Sequence, residues 1–334
     1  MFINFSSVCI HIAQTNRRKT EFVLSRLFVA LGAMELTLSQ QISMCQQAKQ
    51  FVCPSANSIF SSFHTTVITE EGRVKCWGFN NRDQCNVPKD LENVVSVGCG
   101  WHHTVAITAE GKVVCWGNDN IIPVCAVPLD LNNAISVSCS MFNTAVLTED
   151  GRIICWGINL NGEVLQNLRN VIAIACGSCM VAVLTIEGRV ICWGKNDFGC
   201  CDVPSDLEKV VAISCANEFV AALTENGKIV CWGDNRRGRC NVPDNLNNAV
   251  AVSCGFYHAA ALTTEGQVIC WGCNDDGQCD VPPDLEYVIT ICCGYYNTTV
   301  ITAEGKVICW GSNHTKQCDI PEELIVRTGM VVLM

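Results

Sequence analysis

Seven copies of the tripeptide Cys-Trp-Gly, centred on Trp77, Trp116, Trp156, Trp193, Trp232, Trp271 and Trp310, set the frame of this chain. The tryptophans are 39, 40, 37, 39, 39 and 39 residues apart, and only one of the eight in the sequence lies outside the series. A period this regular means one supersecondary unit copied seven times, each copy burying its apolar face against the next. Framework residues repeat in such an array, so chemistry particular to the chain belongs where the copies differ.

The copy from Ala249 to Pro282 shows the unit. Ala249-Val-Ala-Val-Ser-Cys254, His258-Ala-Ala-Ala-Leu-Thr263 and Gln267-Val-Ile-Cys-Trp-Gly272 read as three successive strands, and Gln278-Cys-Asp-Val281 as a fourth. Short β-branched runs with turn residues every eight to ten positions favour strands over helices. Between the second and third strands every copy carries an acidic residue or asparagine followed by glycine, from Glu71-Gly72 to Glu304-Gly305. That pattern predicts a two-residue hairpin loop, in which glycine takes the positive φ without steric cost. A Gly-x-Asn-x-x-Gly stretch (Gly233 to Gly238) supplies a longer turn, and Val-Pro-x-Asp-Leu (Val203 to Leu207) ends the unit, since proline cannot continue a central ladder.

Four short strands per copy, seven times over, predict an all-β, seven-bladed β-propeller of four-stranded antiparallel blades. The string from Val252 through Cys-Gly-Phe-Tyr-His, Glu-Gly and Cys-Trp-Gly to Pro282 resembles a regulator-of-chromosome-condensation repeat, and the resemblance recurs in every copy over about residues 55–321. It implies a seven-bladed propeller, most similar to the compact type of the β-lactamase-inhibitor propellers. The first copy has only a ragged first strand before Phe60, so the tail Ile325 to Met334 is expected to supply the missing strand and close the ring. The domain reading is an N-terminal extension over 1–50, disordered or partly helical, and the propeller over 51–334.

Net charge is −10 over 334 residues; residues 1–50 carry +3, so the propeller is strongly acidic. This argues against nucleic acid or anionic lipid as a partner, because both demand clustered Lys and Arg. No apolar run approaches a membrane span: Phe22 to Met34 is interrupted by Arg26. Without a convincing secretion signal the expected setting is the cytoplasm or another reducing intracellular compartment, the nucleus included, and the expected state is monomeric.

Nineteen of the 26 cysteines fall on three repeat phases: before the tryptophan (Cys76 through Cys309), at the end of the first strand (Cys99 through Cys293), and after the long turn (Cys85 through Cys318). Buried thiols behave as small apolar residues, so core packing is the leading expectation. The alternative is one bridge per blade, since Cys76 with Cys85, Cys231 with Cys240 and Cys270 with Cys279 should lie opposite each other. No second pair of cysteines supports Cys176 and Cys179 as a zinc site. No metal, cofactor or catalytic residue is expected. His64, His103 and His258 share a phase with Asn143, Met180, Phe219 and Asn297, and a phase that accepts Met and Phe is no proton shuttle. The carboxylates recur in turns, where solvated turn chemistry explains them.

The loop after the first strand varies most. It reads Phe63, Trp101-His102, Met141-Phe142, Ser178-Cys179, Asn217-Glu218, Phe256-Tyr257 and Tyr295-Tyr296 around the copies. Propeller geometry places these loops on one rim, and grouped aromatics are the composition of a protein-binding hot spot. Phe63, Trp101, His102, Phe142, Glu218, Phe256, Tyr257, Tyr295 and Tyr296 are therefore the candidate contact residues, forming an aromatic, acidic arc. The seven repeat tryptophans are scaffold. The expected function is non-enzymatic docking of a protein partner. The alternative, implied by the family resemblance, is nucleotide exchange on a Ran-type small GTPase. The exchange factor of that family works through an inserted wedge, and no copy here is long enough to hold one.

Overall fold

Three antiparallel strands make each of seven sheets in the computed structural model, which describes residues 59–69, 71–117, 124–157, 168, 170–285, 287–322 and 324. We number the blades 1 to 7, spanning 59–78, 94–116, 134–157, 171–194, 210–233, 249–272 and 288–311. The middle strand of each is buried along its whole length, as in His258–Thr263 of blade 6. The extension over 1–50, the tail Ile325 to Met334 and its ring-closing strand, and the shortened stretch 158–167 that follows the third Cys-Trp-Gly lie outside the described residues. Blade 1 takes its own first strand from Ile59–Ser61, immediately before the loop to the second.

The described blades hold three strands where the sequence predicted four. In blade 6 the Asn274 Oδ1 accepts the Cys279 N–H at 2.7 Å, and Asp280 N–H and Val281 N–H donate back to Gly277 and Cys279 carbonyls at 3.0 Å. Backbone donors that a fourth strand would present to a ladder are thus satisfied within the turn. The same asparagine clasp recurs at Asn80, Asn196, Asn235 and Asn313.

The hairpins also differ from expectation. Gly266 N–H donates to Thr263 O at 3.0 Å while Thr263 N–H donates to Gln267 O at 2.9 Å, which leaves three loop residues. This is a tight turn followed by a left-handed glycine, with Gly266 at φ 75°. The turn carboxylates serve these loops: Thr69 and Thr148 hydroxyls donate to Glu71 and Asp150.

Seven apolar clusters hold the blades together, and each spans two neighbours. Phe219, Leu223 and Ile229 of blade 5 pack with Val252, Ala261 and Trp271 of blade 6. Ile301 and Val307 of blade 7 pack with Val67 and Trp77 of blade 1. Each repeat tryptophan thus sits in the seam toward the preceding blade, as scaffold. Four of them also satisfy their indole N–H there: Trp156, Trp232, Trp271 and Trp310 donate to the carbonyls of Val124, Cys200, Arg239 and Gln278, each 32 residues earlier, at 2.7–3.1 Å, whereas those of Trp116 and Trp193 find no partner among the described residues. Trp77 makes the equivalent bond to Gln317 at 3.0 Å, so the seventh blade is joined to the first in the same way as those four internal pairs.

The cysteines divide by phase. Cys99, Cys176, Cys215, Cys254 and Cys293 at the first-strand ends are thiols whose ionisation burial opposes, and Cys139 is pushed up to about 12 for the same reason. These are core residues. In the opposed pairs, Cys115–Cys125 and Cys309–Cys318 are disulfides with Cα separations of 5.2 and 5.0 Å. Cys76, Cys85, Cys231, Cys240, Cys270 and Cys279 are free.

Candidate functional site

The Gly that closes each Cys-Trp-Gly string also shapes the variable loop. Gly272 has φ 102°, and a side chain there would meet the Tyr257 carbonyl at 2.8 Å. The next residue, Cys273, donates its N–H to that same carbonyl at 3.0 Å. Equivalent bonds run from Phe79 to Phe63, Lys195 to Cys179, Asp234 to Glu218 and Ser312 to Tyr296. The loops are also bonded to one another across blades: Trp101 N–H to Met141 O, Ser178 N–H to Asn217 O, Phe256 N–H to Gly294 O, and Tyr295 N–H to Ser62 O. A glycine at the first-strand end leaves room for the histidine phase, since a Cβ on Gly255 would lie 2.4 Å from His258 Cε1. The rim is therefore preorganised by backbone.

His64, His103 and His258 are fully buried and bond the next blade, with Nε2 2.8, 3.0 and 2.9 Å from Thr104, Thr144 and Thr298 Oγ1. The Thr104 and Thr298 hydroxyls already donate to the Gln84 and Gln278 carbonyls. His64 and His258 must therefore be the donors, which assigns their protons to Nε2. Burial holds both imidazoles neutral, lowered to about 3. Among the described residues no group of three or more His, Cys, Asp or Glu side chains is placed to hold a metal ion.

On the rim the aromatics converge into one contiguous platform rather than a string of separate rings. Tyr295 is its hub, stacked on Phe256 at 3.9 Å and on Phe63 at 4.4 Å between ring centroids. Phe63 stacks on Trp101 at 5.7 Å, and Trp101 on His102 at 5.2 Å and against Phe142 at 5.5 Å. Tyr295 also reaches Trp101 at 6.3 Å, although blades 7 and 2 are not neighbours. Tyr257 and Tyr296 flank the hub, 5.6 Å apart. Every one of these rings is half-buried, each covered partly by the next and open on its outer side. Burial, before any neighbouring phenol, keeps Tyr295 and Tyr296 well protonated. Such pairs contribute about 0.5–1.5 kcal/mol each beyond area burial, enough to hold the rings rigid before any partner arrives.

Glu218 stands outside the platform. It lies 3.8 Å from both Lys195 Nζ and Arg236 Nη2, in a polar sector made by blades 4 and 5. At its floor is a buried ion pair, Arg239 Nη2 to Asp234 Oδ2 at 3.0 Å. Burial opposes ionisation of Asp234, but the Arg236 and Arg239 guanidiniums prevail and hold its carboxyl below the usual range. Arg239 also donates to the Phe256 carbonyl at 2.8 Å and lies 5.2 Å from the Tyr257 ring centroid, so this pair anchors the edge of the platform.

Sequence reading missed Phe79, which joins Phe63 at 6.0 Å, and the Asp234–Arg239 pair. The signal was present: both phases vary between copies, and only in the fifth copy do an acid and a base occupy them together.

The model of the regulator of chromosome condensation (RCC1) repeat matches seven stretches, 60–84, 94–120, 134–163, 171–200, 210–239, 249–278 and 288–317. No curated protein matches the chain. Among solved structures, the CRINKLY WD40 ectodomain of the Arabidopsis thaliana receptor kinase ACR4 is similar, with TM-score 0.68 and 19% identity over 80% of this chain and 99% of its own. Prp20p of Saccharomyces cerevisiae, described with its binding properties to Gsp1p and histones, matches at TM-score 0.64 and 15% identity over 85% and 88%. Human WBSCR16 matches at TM-score 0.59 and 16% identity over 74% and 87%. At these identities the likeness is one of fold.

Proposed function

The chain belongs to the regulator of chromosome condensation (RCC1) repeat family, and from that premise we propose that it is a non-enzymatic docking propeller that binds a protein partner through the aromatic platform. The observation that carries the reading is the Tyr295 hub, which ties rings from blades 6, 7, 1 and 2 into one preformed, half-open apolar surface. Rigid aromatics clustered at the centre of a face bind with little ordering cost, which is the energetic signature of a hot spot. The acidic balance of the chain favours a partner with basic groups around an apolar centre. Comparative affinity capture tests this: the wild type should retain a principal partner that Trp101→Ala/Tyr257→Ala loses, and equal recovery by both would refute the platform.

A second reading, nucleotide exchange on a Ran-type small GTPase, is supported by the likeness to Prp20p, whose described binding includes Gsp1p. Stimulated release of a fluorescent nucleotide from a panel of small GTPases would establish it. No stimulation across the panel would remove it and leave docking alone.

A further inference from the structure

A cavity of about 360 Å³ opens beside the platform between blades 6, 7 and 1. Its aromatic walls are Phe63, Tyr257 and Tyr296, and its charged lining is Arg237, Asp275 and Asp276, with His314 beside them. Arg237 is already paired, through Nη1, to Asp275 Oδ2. The half-buried Asp276 carboxylate makes no hydrogen bond or ion pair among the described residues, while its backbone N–H is fixed to Gln278 Oε1 at 3.0 Å. Arg237 holds φ 70°, a region that side-chain-bearing residues rarely adopt, and this conformation accompanies its bond across to Asp275. With Arg237 and Asp275 cancelling, the cavity is left with an unbalanced negative charge among π faces. Asp276 is close enough to Tyr296 to reinforce, after burial and Tyr257, the upward shift of its phenol.

We propose that this cavity receives a basic side chain of the protein partner, arginine above all, held between Asp276 and the Tyr257, Tyr296 and Phe63 rings. The inference rests on the docking reading of the adjoining platform and adds the chemistry of the anchoring residue. A guanidinium fits both halves of the site, since its plane stacks on aromatic faces while its fork bonds a carboxylate. An apolar side chain would instead bury Asp276 without a partner, a costly outcome. An acidic one would meet Asp276 directly.

Selection of short random displayed peptides on the intact chain separates this proposal from the docking reading. Enriched peptides are expected to share an arginine or lysine at a fixed position. Replacing that arginine by citrulline, which keeps the shape and removes the charge, should weaken binding about tenfold. On Asp276→Asn, checked for an unchanged melting temperature, the same replacement should make little difference. Enrichment without a basic position, or an equal citrulline effect on Asp276→Asn, overturns the proposal. Trp101→Ala lies on the platform outside the cavity and reports on the other reading. Peptides that bind it as well as wild type refute platform docking, whatever the Asp276 result, and failure to enrich any peptide refutes both.

Discussion

Trp77 in the first blade donates its indole N–H to the backbone carbonyl of Gln317, 240 residues away beyond the seventh, at 3.0 Å. Thr65 Oγ1 donates to the same oxygen at 3.0 Å. Gln278 receives Trp310 and Thr298 in the same manner, so the seam between the ends of the repeat array is a copy of an internal seam. The Cys-Trp-Gly string contributes twice to this design. Its tryptophan locks one blade to the one before, and its glycine lets the rim loop of its own blade lie against it.

Trp77→Phe keeps the packing and removes the donor, and should lower unfolding free energy by about 1–3 kcal/mol in a denaturant titration. Trp116→Phe is the control. Its indole N–H has no hydrogen-bond partner among the described residues, so it should cost less. Equal losses would show that the seam bond contributes nothing.

Stability should fall on mild acidification. His64 and His258 are lowered in the folded state to about 3, whereas unfolded histidine titrates near 6.5. Below about pH 6.5 the unfolded chain binds protons that the folded chain refuses, so each histidine removes up to about 1.4 kcal/mol per pH unit down towards pH 3. Asparagine occupies the same phase at Asn143 and Asn297. His64→Asn/His258→Asn should therefore fold and show a shallower loss between pH 7 and pH 5 in urea melts; an unchanged slope would contradict the burial account.

Gly272→Ala should weaken partner capture as well as stability. The left-handed conformation costs about 1–2 kcal/mol for a side chain, and the 2.8 Å approach to the Tyr257 carbonyl forces the rim loop to move. Loss of stability with full capture would separate the glycine from the rim.

Peptide mapping without reductant should recover Cys115 linked to Cys125 and Cys309 linked to Cys318, with Cys231 and Cys240 as thiols. Loops this short make each bridge worth about 2.5 kcal/mol in the chain-entropy account, so reduction should lower the melting temperature measurably. Recovery of all four bridged cysteines as thiols would return these pairs to simple core packing.

The sequence made the seven-fold period, the hairpin glycines and the scaffold role of Trp77 through Trp310 legible, because each depends on short-range pattern. It misplaced the fourth strand, since Asn274 and its counterparts satisfy by side chain what a ladder would satisfy by backbone. It located Phe63, Trp101 and Tyr295 on one rim but not in one cluster. Rings on blades 7 and 2 meet only because the closed array brings non-neighbouring copies together. The Asp234–Arg239 pair was hidden because carboxylates in turns read as solvated, although an acid and a base occupy these two phases together in the fifth copy alone.

The central claim is that the partner sits on the platform face. A photo-crosslinking residue placed at Phe142, beside Trp101, tests it against one placed at Asn226, in a hairpin at the opposite end of the strands. With the captured partner bound, the account predicts a crosslinked product from position 142 and none from position 226. A product from 226 and none from 142 would contradict it.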